Sequence, residues 1–256
     1  LKSAIQKDNG TKYSEQLKQY NQKIHTTLFT WDGLKEAEIT RLDSLKHYLK
    51  LLNAGFIAID PNKGELKAWV GGIDYRFFQY DHVTAPRQTG STFKPFVYAT
   101  AIDQLHLSPC DVLPDSPFCI EKFKYGNPED WCPKNSGDKY GSIRTLKNAL
   151  ANSVNTVTAR LMDKVGPQPV IDLAHSLGIE QDILPVPSIA LGTPDLSVYE
   201  MVAAYSTFAN KGVYTKPVMI TSIEDKNGTI LFQFAPETKD VLSEEVAYVT
   251  VNLLEG

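Results

Sequence analysis

The chain has 256 residues, of which 42% are hydrophobic and 10% aromatic, and its formal net charge is −4. This composition is sufficient for a substantial core, and the acidic balance gives no basic surface for nucleic acid. No apolar run approaches the length of a membrane span, and no signal peptide opens the sequence. We therefore expect one large domain, or a domain with an appendage.

The first 53 residues predict a connecting segment rather than a catalytic one. Residues 1 to 33 are polar and should pack poorly alone. From Lys35 to Asn53 the leucines recur at a helical spacing, which predicts a helix closed by Gly55. Its apolar stripe would be Leu42, Leu45, Leu49 and Leu52. Such a stripe is typical of packing and suggests no chemistry.

A β-hairpin is predicted next. Residues 55 to 60 and 65 to 72 alternate as strands do, and a Pro-Asn-Lys-Gly turn joins them. The chain from Asp74 to Pro86 has no regular pattern and should approach the following helix irregularly.

Residues 87 to 96 combine a serine, a lysine and the start of a helix. The apolar positions after Gly90 have the spacing of one buried helical face, so Ser91 should open a helix. Ser91 and Lys94 would then be neighbours one turn apart. A serine hydroxyl needs a base beside it, and a buried lysine amine can act as one because desolvation lowers its pKa. The helix N-terminus would add N–H donors where an oxyanion forms.

The Ser-x-x-Lys spacing is weak by itself, because the chain contains a second copy from Ser136 to Lys139. That copy lies among Asn, Gly and Asp residues without an apolar period, which is typical of a solvated loop. For the first copy the simple alternative is a helix N-cap serine followed by a surface lysine.

Three cysteines lie in a loop-like stretch rich in Pro, Asp and Gly: Cys110, Cys119 and Cys132. Their odd number excludes complete pairing within one chain, and their spacing matches no zinc pattern. Outside the cytoplasm one disulfide is expected, with Cys119–Cys132 as the favoured pair. Ordinary unpaired cysteines are the alternative.

Residues 152 to 155 interrupt two helical patterns. The first pattern runs through Leu146 and Leu150 and would be capped by Ser142. At such an interruption side chains can project into a cleft, so a Ser153 hydroxyl could relay a proton and an Asn155 carboxamide could hold a substrate amide. The structural alternative is that Ser153 or Asn155 caps the second helix.

The remaining elements are predicted to be framework. A short helix should run from residue 167 to 177 and end at Gly178. Ser197 and Glu200 form a capping box for a helix that reaches Gly212. A second hairpin is predicted over residues 218 to 234, and Ser243 should cap a final helix.

These segments together resemble the penicillin-binding transpeptidases, in particular the bifunctional class A penicillin-binding proteins. Gly90 to Phe96 with its aliphatic helix is similar to their active-site segment, and Ser153 to Asn155 is similar to their second motif. On this resemblance residues 54–256 are the transpeptidase domain. Residues 1–53 are the linker that follows a glycosyltransferase domain, which is absent from this chain.

The resemblance implies an α+β fold of the serine β-lactamase and penicillin-binding transpeptidase type, with an antiparallel sheet beside a helical subdomain. It implies that Ser91 is the acylated nucleophile, Lys94 its base, Ser153 the proton shuttle and Asn155 the substrate-positioning group. The implied reaction is D,D-transpeptidation of peptidoglycan stem peptides, without a cofactor or metal.

The implied partners are stem peptides ending in D-Ala-D-Ala, β-lactam antibiotics and, for the parent protein, other cell-wall synthesis proteins. No nucleic acid is expected. The implied location is extracytoplasmic, on the periplasmic face of the bacterial inner membrane. The membrane would be contacted only through an N-terminal anchor that this chain does not contain.

The family's third motif, Lys-Thr-Gly or Lys-Ser-Gly on a strand, does not occur in the sequence. In the family it follows a helix like the one predicted near residues 243 to 254, so we expect the chain to stop just before it and to be impaired alone. A D,D-carboxypeptidase or β-lactamase, in which water replaces the acceptor amine, is one alternative. A non-catalytic fragment that offers a surface to cell-wall partners is another.

Overall fold

The computed structural model describes residues 18–256, so the first 17 residues of the predicted connecting segment lie outside the described residues. The chain divides into two compact units. Of the described residues, one unit comprises 18–54 and 72–79, and the other comprises 55–71 and 80–256. None of the helices within residues 18–256 is both long and apolar enough to cross a membrane.

The smaller unit contains a hairpin that the sequence did not predict. Strand β1 (Lys23–Thr30) pairs antiparallel with β2 (Gly33–Thr40), and helix α1 (Arg41–Tyr48) follows. The predicted helix from Lys35 to Asn53 is therefore wrong at both ends. Residues 35 to 40 pair with β1 as part of strand β2 instead of forming helix. The Thr40 side chain then caps α1 by accepting from the Asp43 N–H.

Aromatic packing, rather than the leucine stripe, holds this unit together. The ring of Phe29 lies 5.9 Å from that of Phe77, and the ring of Tyr48 lies 5.6 Å from that of Phe78. Leu49 and Leu52, by contrast, are 73% and 83% exposed. The leucines therefore do not form the apolar face that their spacing suggested.

The larger unit mixes helices with antiparallel strand pairs, which confirms the predicted α+β class. Its strands are β3 (Phe56–Ile59), β4 (Leu66–Val70), β5 (Arg87–Gln88), β6 (Val112–Pro114), β7 (Ile143–Thr145), β8 (Asp195–Leu196), β9 (Val213–Thr215), β10 (Ser222–Glu224), β11 (Ile230–Gln233) and β12 (Thr238–Asp240). They pair as β3–β4, β5–β8, β6–β7, β9–β12 and β10–β11, each antiparallel. Both predicted hairpins are present, although the second is shorter than expected.

The helices of this unit build the core. They are α2 (Lys94–Leu105), α3 (Leu146–Ala151), α4 (Asn155–Val165), α5 (Pro167–Ser176), α6 (Val198–Ala209) and α7 (Glu244–Leu254). Nine of the twelve residues of α2 are buried, because α4, α5 and α7 all pack around it. The apolar period that predicted this helix therefore marks the centre of the core.

Most of the predicted helix caps are correct. Ser197 and Glu200 form the capping box of α6, and Ser243 accepts from the Val246 N–H at the start of α7. The prediction that Ser142 caps α3 is wrong. Ser142 directly precedes β7, so the helix begins later and Thr145 is its cap.

The predicted disulfide is confirmed: Cys119 and Cys132 are bonded, and Cys110 is free and exposed. The bond closes a loop with a sequence separation of 13 residues. A cross-link of this span removes conformational entropy from the unfolded chain, by about 3 kcal/mol in the chain-entropy account.

Replacing both bonded cysteines should therefore destabilise the protein. We expect the Cys119→Ser, Cys132→Ser variant to lose about 3 kcal/mol of unfolding free energy, measured by denaturant titration. The Cys110→Ser variant is the matched control and should unfold like the parent chain. Equal stability of all three proteins would contradict this expectation.

Candidate active site

Ser91 lies exposed on a tight 3₁₀ turn, Gly90–Phe93, that leads directly into α2. Backbone hydrogen bonds fasten this turn to the segment before α6. The Gly90 N–H donates to the Gly192 carbonyl at 3.0 Å, and the Thr89 N–H donates to the Pro194 carbonyl at 3.2 Å. The β5–β8 pair continues the same ladder. The position of the predicted nucleophile is thus set by main-chain bonding.

One side chain reinforces this arrangement. The Tyr205 hydroxyl on α6 donates to the Thr92 carbonyl at 2.6 Å. Burial raises the pKa of Tyr205 to about 12. The phenol therefore remains a neutral donor at physiological pH.

Gly192 permits the close approach of the two backbones. Its φ is +75°, and a Cβ built there would lie 1.8 Å from the Gly90 carbonyl oxygen. We expect Gly192→Ala to displace the Ser91 turn and to cost several kcal/mol of unfolding free energy, measured by denaturant titration.

The matched control for this variant is Gly228→Ala. Gly228 also has a positive φ, +84°, but a Cβ there would have no atom within 4 Å. This substitution should cost only the backbone term of about 1 kcal/mol. Similar losses in both variants would refute the role of the close contact.

Lys94 begins α2 and is 1% exposed. Its three ammonium donors each find an acceptor across the site. The Nζ atom lies 2.7 Å from the Ser153 carbonyl oxygen, 2.9 Å from Ser153 Oγ and 2.7 Å from Asn155 Oδ1. Burial lowers the pKa of Lys94 to about 8. A lysine in this state can release its proton close to neutral pH.

Ser153 and Asn155 occupy the predicted break between α3 and α4. Ser153 has a φ of +52°, an uncommon conformation for a residue with a side chain, and in it both its carbonyl and its hydroxyl reach Lys94. Neither Ser153 nor Asn155 caps α4, because the N-cap position is Val154. The capping alternative for these two residues is therefore wrong.

The structure brings Lys94, Ser153 and Asn155 into direct contact and leaves Ser91 one helical turn before Lys94. The Lys94 backbone N–H donates to the Ser91 carbonyl, but within residues 18–256 no hydrogen bond joins the Ser91 hydroxyl to the Lys94 amine. All three donors of Lys94 face the second motif. Contacts between a nucleophile and its base are often long in unliganded sites.

Sequence reasoning did not place the loop before β7 at this site. The Lys134 carbonyl accepts from Asn155 Nδ2 at 2.7 Å, and Asn135 Oδ1 accepts from the Asn155 N–H at 3.0 Å. The neighbouring Ser136–Asp138 segment is exposed, as its composition predicts. The only local sign of this contact is that Val154, the N-cap residue of α4 in the described chain, has no polar side chain to accept from the first N–H groups of the helix.

An apolar groove of about 620 Å³ lies between the residues before the Ser91 turn and α6. Thr92, Met201 and Tyr205 line it, whereas Ser91, Lys94, Ser153 and Asn155 do not. Since it does not contain the polar cluster, we assign the groove no chemical role.

The sequence comparisons agree with the class of site that this geometry defines, in which a buried lysine joins two serine-bearing turns. Residues 54–256 match the family described as penicillin binding protein transpeptidase domain, and residues 3–52 match the penicillin-binding protein middle domain. Penicillin-binding protein 1A of Aquifex aeolicus (strain VF5) is 35% identical over 253 residues. Penicillin-binding protein 1A of Neisseria lactamica is 34% identical over 188 residues.

The alignment with the Aquifex protein covers 97% of this chain and 33% of that relative, and the alignment with the Neisseria protein covers 73% and 23%. This chain therefore spans about a third or less of the length of these relatives. It belongs to the penicillin-binding protein transpeptidase domain family.

Solved structures show the same fold. Penicillin-binding protein 1A from Haemophilus influenzae superposes with a TM-score of 0.73 at 25% identity, covering 89% of this chain and 37% of that one. PonA1 from Mycobacterium tuberculosis in complex with penicillin V superposes with a TM-score of 0.68 at 24% identity, covering 93% and 65%.

Proposed function

We propose that this domain is a D,D-transpeptidase that acts through a serine acyl-enzyme and is acylated by β-lactams. The observation that carries the proposal is the buried Lys94, whose Nζ contacts both Ser153 and Asn155 while Ser91 lies one turn away. Family membership supports the same reaction class.

In the proposed first step Ser91 Oγ attacks the carbonyl carbon of the D-Ala-D-Ala amide, and its proton moves to neutral Lys94. The C–N bond then breaks, and D-alanine leaves with a proton delivered from Lys94 through the Ser153 hydroxyl. A neighbouring stem peptide's amine next attacks the acyl carbon and loses a proton to the same relay. The bond from Ser91 Oγ to that carbon breaks, and Lys94 returns the proton to Oγ.

Asn155 is proposed to hold the substrate's amide. Its Oδ1 accepts from Lys94 and its Nδ2 donates to the Lys134 carbonyl. A carboxamide has a second lone pair and a second N–H, which leaves one acceptor site and one donor for a peptide. First-turn N–H groups near Ser91 would stabilise the oxyanion.

Several further assignments are proposals that follow from this one. Residues 1–53 serve as the linker segment and residues 54–256 as the transpeptidase domain. The domain works outside the cytoplasm, on the periplasmic face of the inner membrane, which the Cys119–Cys132 disulfide supports because such bonds persist in oxidising compartments. Peptidoglycan stem peptides and β-lactams are its partners.

The sequence contains no Lys-Thr-Gly, and this affects the rate of acylation that we expect. If no other group replaces one missing oxyanion donor, acylation should be slower by about a hundredfold or more than with a complete oxyanion hole. Long reaction times are therefore part of the test.

The test supplies the chain with a stem peptide ending in D-Ala-D-Ala together with an amine acceptor. We expect release of D-alanine and formation of a cross-linked product, both blocked by prior treatment with penicillin. Release of D-alanine without cross-linking would support the carboxypeptidase alternative. Sustained turnover of penicillin would support a β-lactamase.

A further inference from the structure

We propose that Asn135 is a positioning residue: its carboxamide, fixed by the buried Asp115, caps helix α4 and sets Asn155 against Lys94. This inference rests on the proposed function and adds to it a residue outside the three recognised motifs. The N-terminus of helix α4 has no acceptor of its own for its first N–H groups. Helix α4 begins at Asn155, yet its own N-cap residue, Val154, has no side-chain acceptor for the first N–H groups.

Asn135, 20 positions earlier in the sequence, supplies the missing acceptor. Its Oδ1 accepts from the Asn155 N–H at 3.0 Å and from the Thr156 N–H at 3.2 Å. One carboxamide oxygen therefore satisfies two helix-start donors that otherwise have no intrahelical partner.

Asp115 fixes the orientation of this carboxamide. The Nδ2 of Asn135 donates to Asp115 Oδ1 at 2.6 Å, and the Thr156 hydroxyl donates to the same oxygen at 2.8 Å. The second oxygen of Asp115 accepts from Arg144 Nε at 2.7 Å and from the Gly141 N–H at 2.9 Å. With only acceptors on the carboxylate, the amide nitrogen must face it and Oδ1 must face α4.

The Asp115 carboxylate keeps this role across the physiological pH range. It is 1% exposed, and burial alone would raise its pKa. Hydrogen bonds from Arg144, Thr156 and the others outweigh burial and lower the pKa of Asp115 to about 2. Asp115 is therefore ionised at every pH at which neutral Lys94 is available.

The same loop also orients the side chain of Asn155. The Lys134 carbonyl accepts from Asn155 Nδ2, which leaves Asn155 Oδ1 directed at Lys94 Nζ at 2.7 Å. Two consecutive loop residues thus hold the backbone and the side chain of Asn155. Loss of the Asn135 side chain should therefore release the backbone and the side chain of Asn155 from these positions. A misplacement of about 1 Å in a catalytic group can slow a reaction by about a hundredfold.

The experiment compares the parent chain with Asn135→Ala and with Asn127→Ala. Asn127 is the control, since it too is a loop asparagine with several side-chain hydrogen bonds. It is buried where Asn135 is half-buried, and its side-chain bonds remain within residues 121 to 129. The first measurement is hydrogen exchange by NMR. The amides of Asn155 and Thr156 should lose protection by about tenfold or more only in Asn135→Ala.

The second measurement follows acylation by penicillin and separates the rate constant from the final amount of adduct. We expect the rate constant of Asn135→Ala to fall by about a hundredfold with an unchanged final amount. A variant in which a fraction of the protein is irreversibly misfolded would instead react at the parent rate and reach a lower amount.

The outcomes distinguish this inference from the proposed function. Retained protection of both amides in Asn135→Ala, or lost protection with an unchanged rate constant, would overturn the positioning role alone. A parent chain that takes no penicillin would overturn the proposed function and this role with it. Should Asn135→Ala fail to fold, Asn135→Asp replaces it. This variant keeps an acceptor for α4, but it loses the donor to Asp115 and to the Lys139 carbonyl and sets a second carboxylate beside Asp115. Its rate constant should also fall, and a parent-like value would overturn the role.

Discussion

Replacing Ser91 by alanine should abolish the covalent penicillin adduct. The parent chain should gain the mass of one penicillin in an intact-mass measurement, and Ser91→Ala should gain none. Removing an attacking oxygen leaves no atom to form the acyl bond, and comparable substitutions cost about 10⁴-fold or more in rate. An adduct that survives in Ser91→Ala would show that another group is the nucleophile.

The chain provides its own control for this experiment. Ser136 belongs to the second Ser-x-x-Lys sequence, which ends at Lys139. Both residues are exposed, and the segment packs as a loop with a left-handed glycine rather than as the start of a buried helix. We therefore expect Ser136→Ala to take up penicillin at the parent rate.

Replacing Lys94 should have the second largest effect. Lys94→Ala removes the only base that we assign to Ser91 and should slow acylation by about 10³-fold to 10⁴-fold. The protein should remain folded, because the substitution removes a buried ammonium whose desolvation is unfavourable. Lys139→Ala is the control and should acylate normally.

The pH dependence of acylation tests the same assignment. Burial lowers the pKa of Lys94 to about 8, and only the neutral amine can accept the Ser91 proton. The rate should therefore rise about tenfold per pH unit below pH 8 and level off above it. The inflection should be missing from the residual rate of Lys94→Ala. A flat profile in the parent chain would rule out Lys94 as the base.

Sequence reasoning succeeds here where the information is local. Ser91 and Lys94 are three residues apart on one helix, and the apolar period of that helix predicts its burial. The break at residues 152 to 155 likewise predicts a place where side chains can project, and Lys94 contacts Ser153 and Asn155 there. The catalytic roles of these residues remain predictions that the experiments above address.

The failures occur where distant segments determine the structure. Lys35 to Thr40 is a good helix-forming sequence, but its pairing with β1 outweighs that preference. Similarly, the contact between Asn135 and the start of α4 joins residues 20 positions apart, and Asp115 lies 41 positions from Thr156. No local pattern of charge or hydrophobicity reports such a pairing.

The main-chain attachment of the Ser91 turn decides which nearby positions tolerate substitution. The segment before Ser91 is bonded to residues 192–196 through peptide groups, and peptide groups are the same whichever side chain a codon specifies. Exposed positions such as Gln88 can therefore mutate while the serine stays in place. Tolerated substitutions should therefore accumulate at such positions, and Gly192 should stay unchanged.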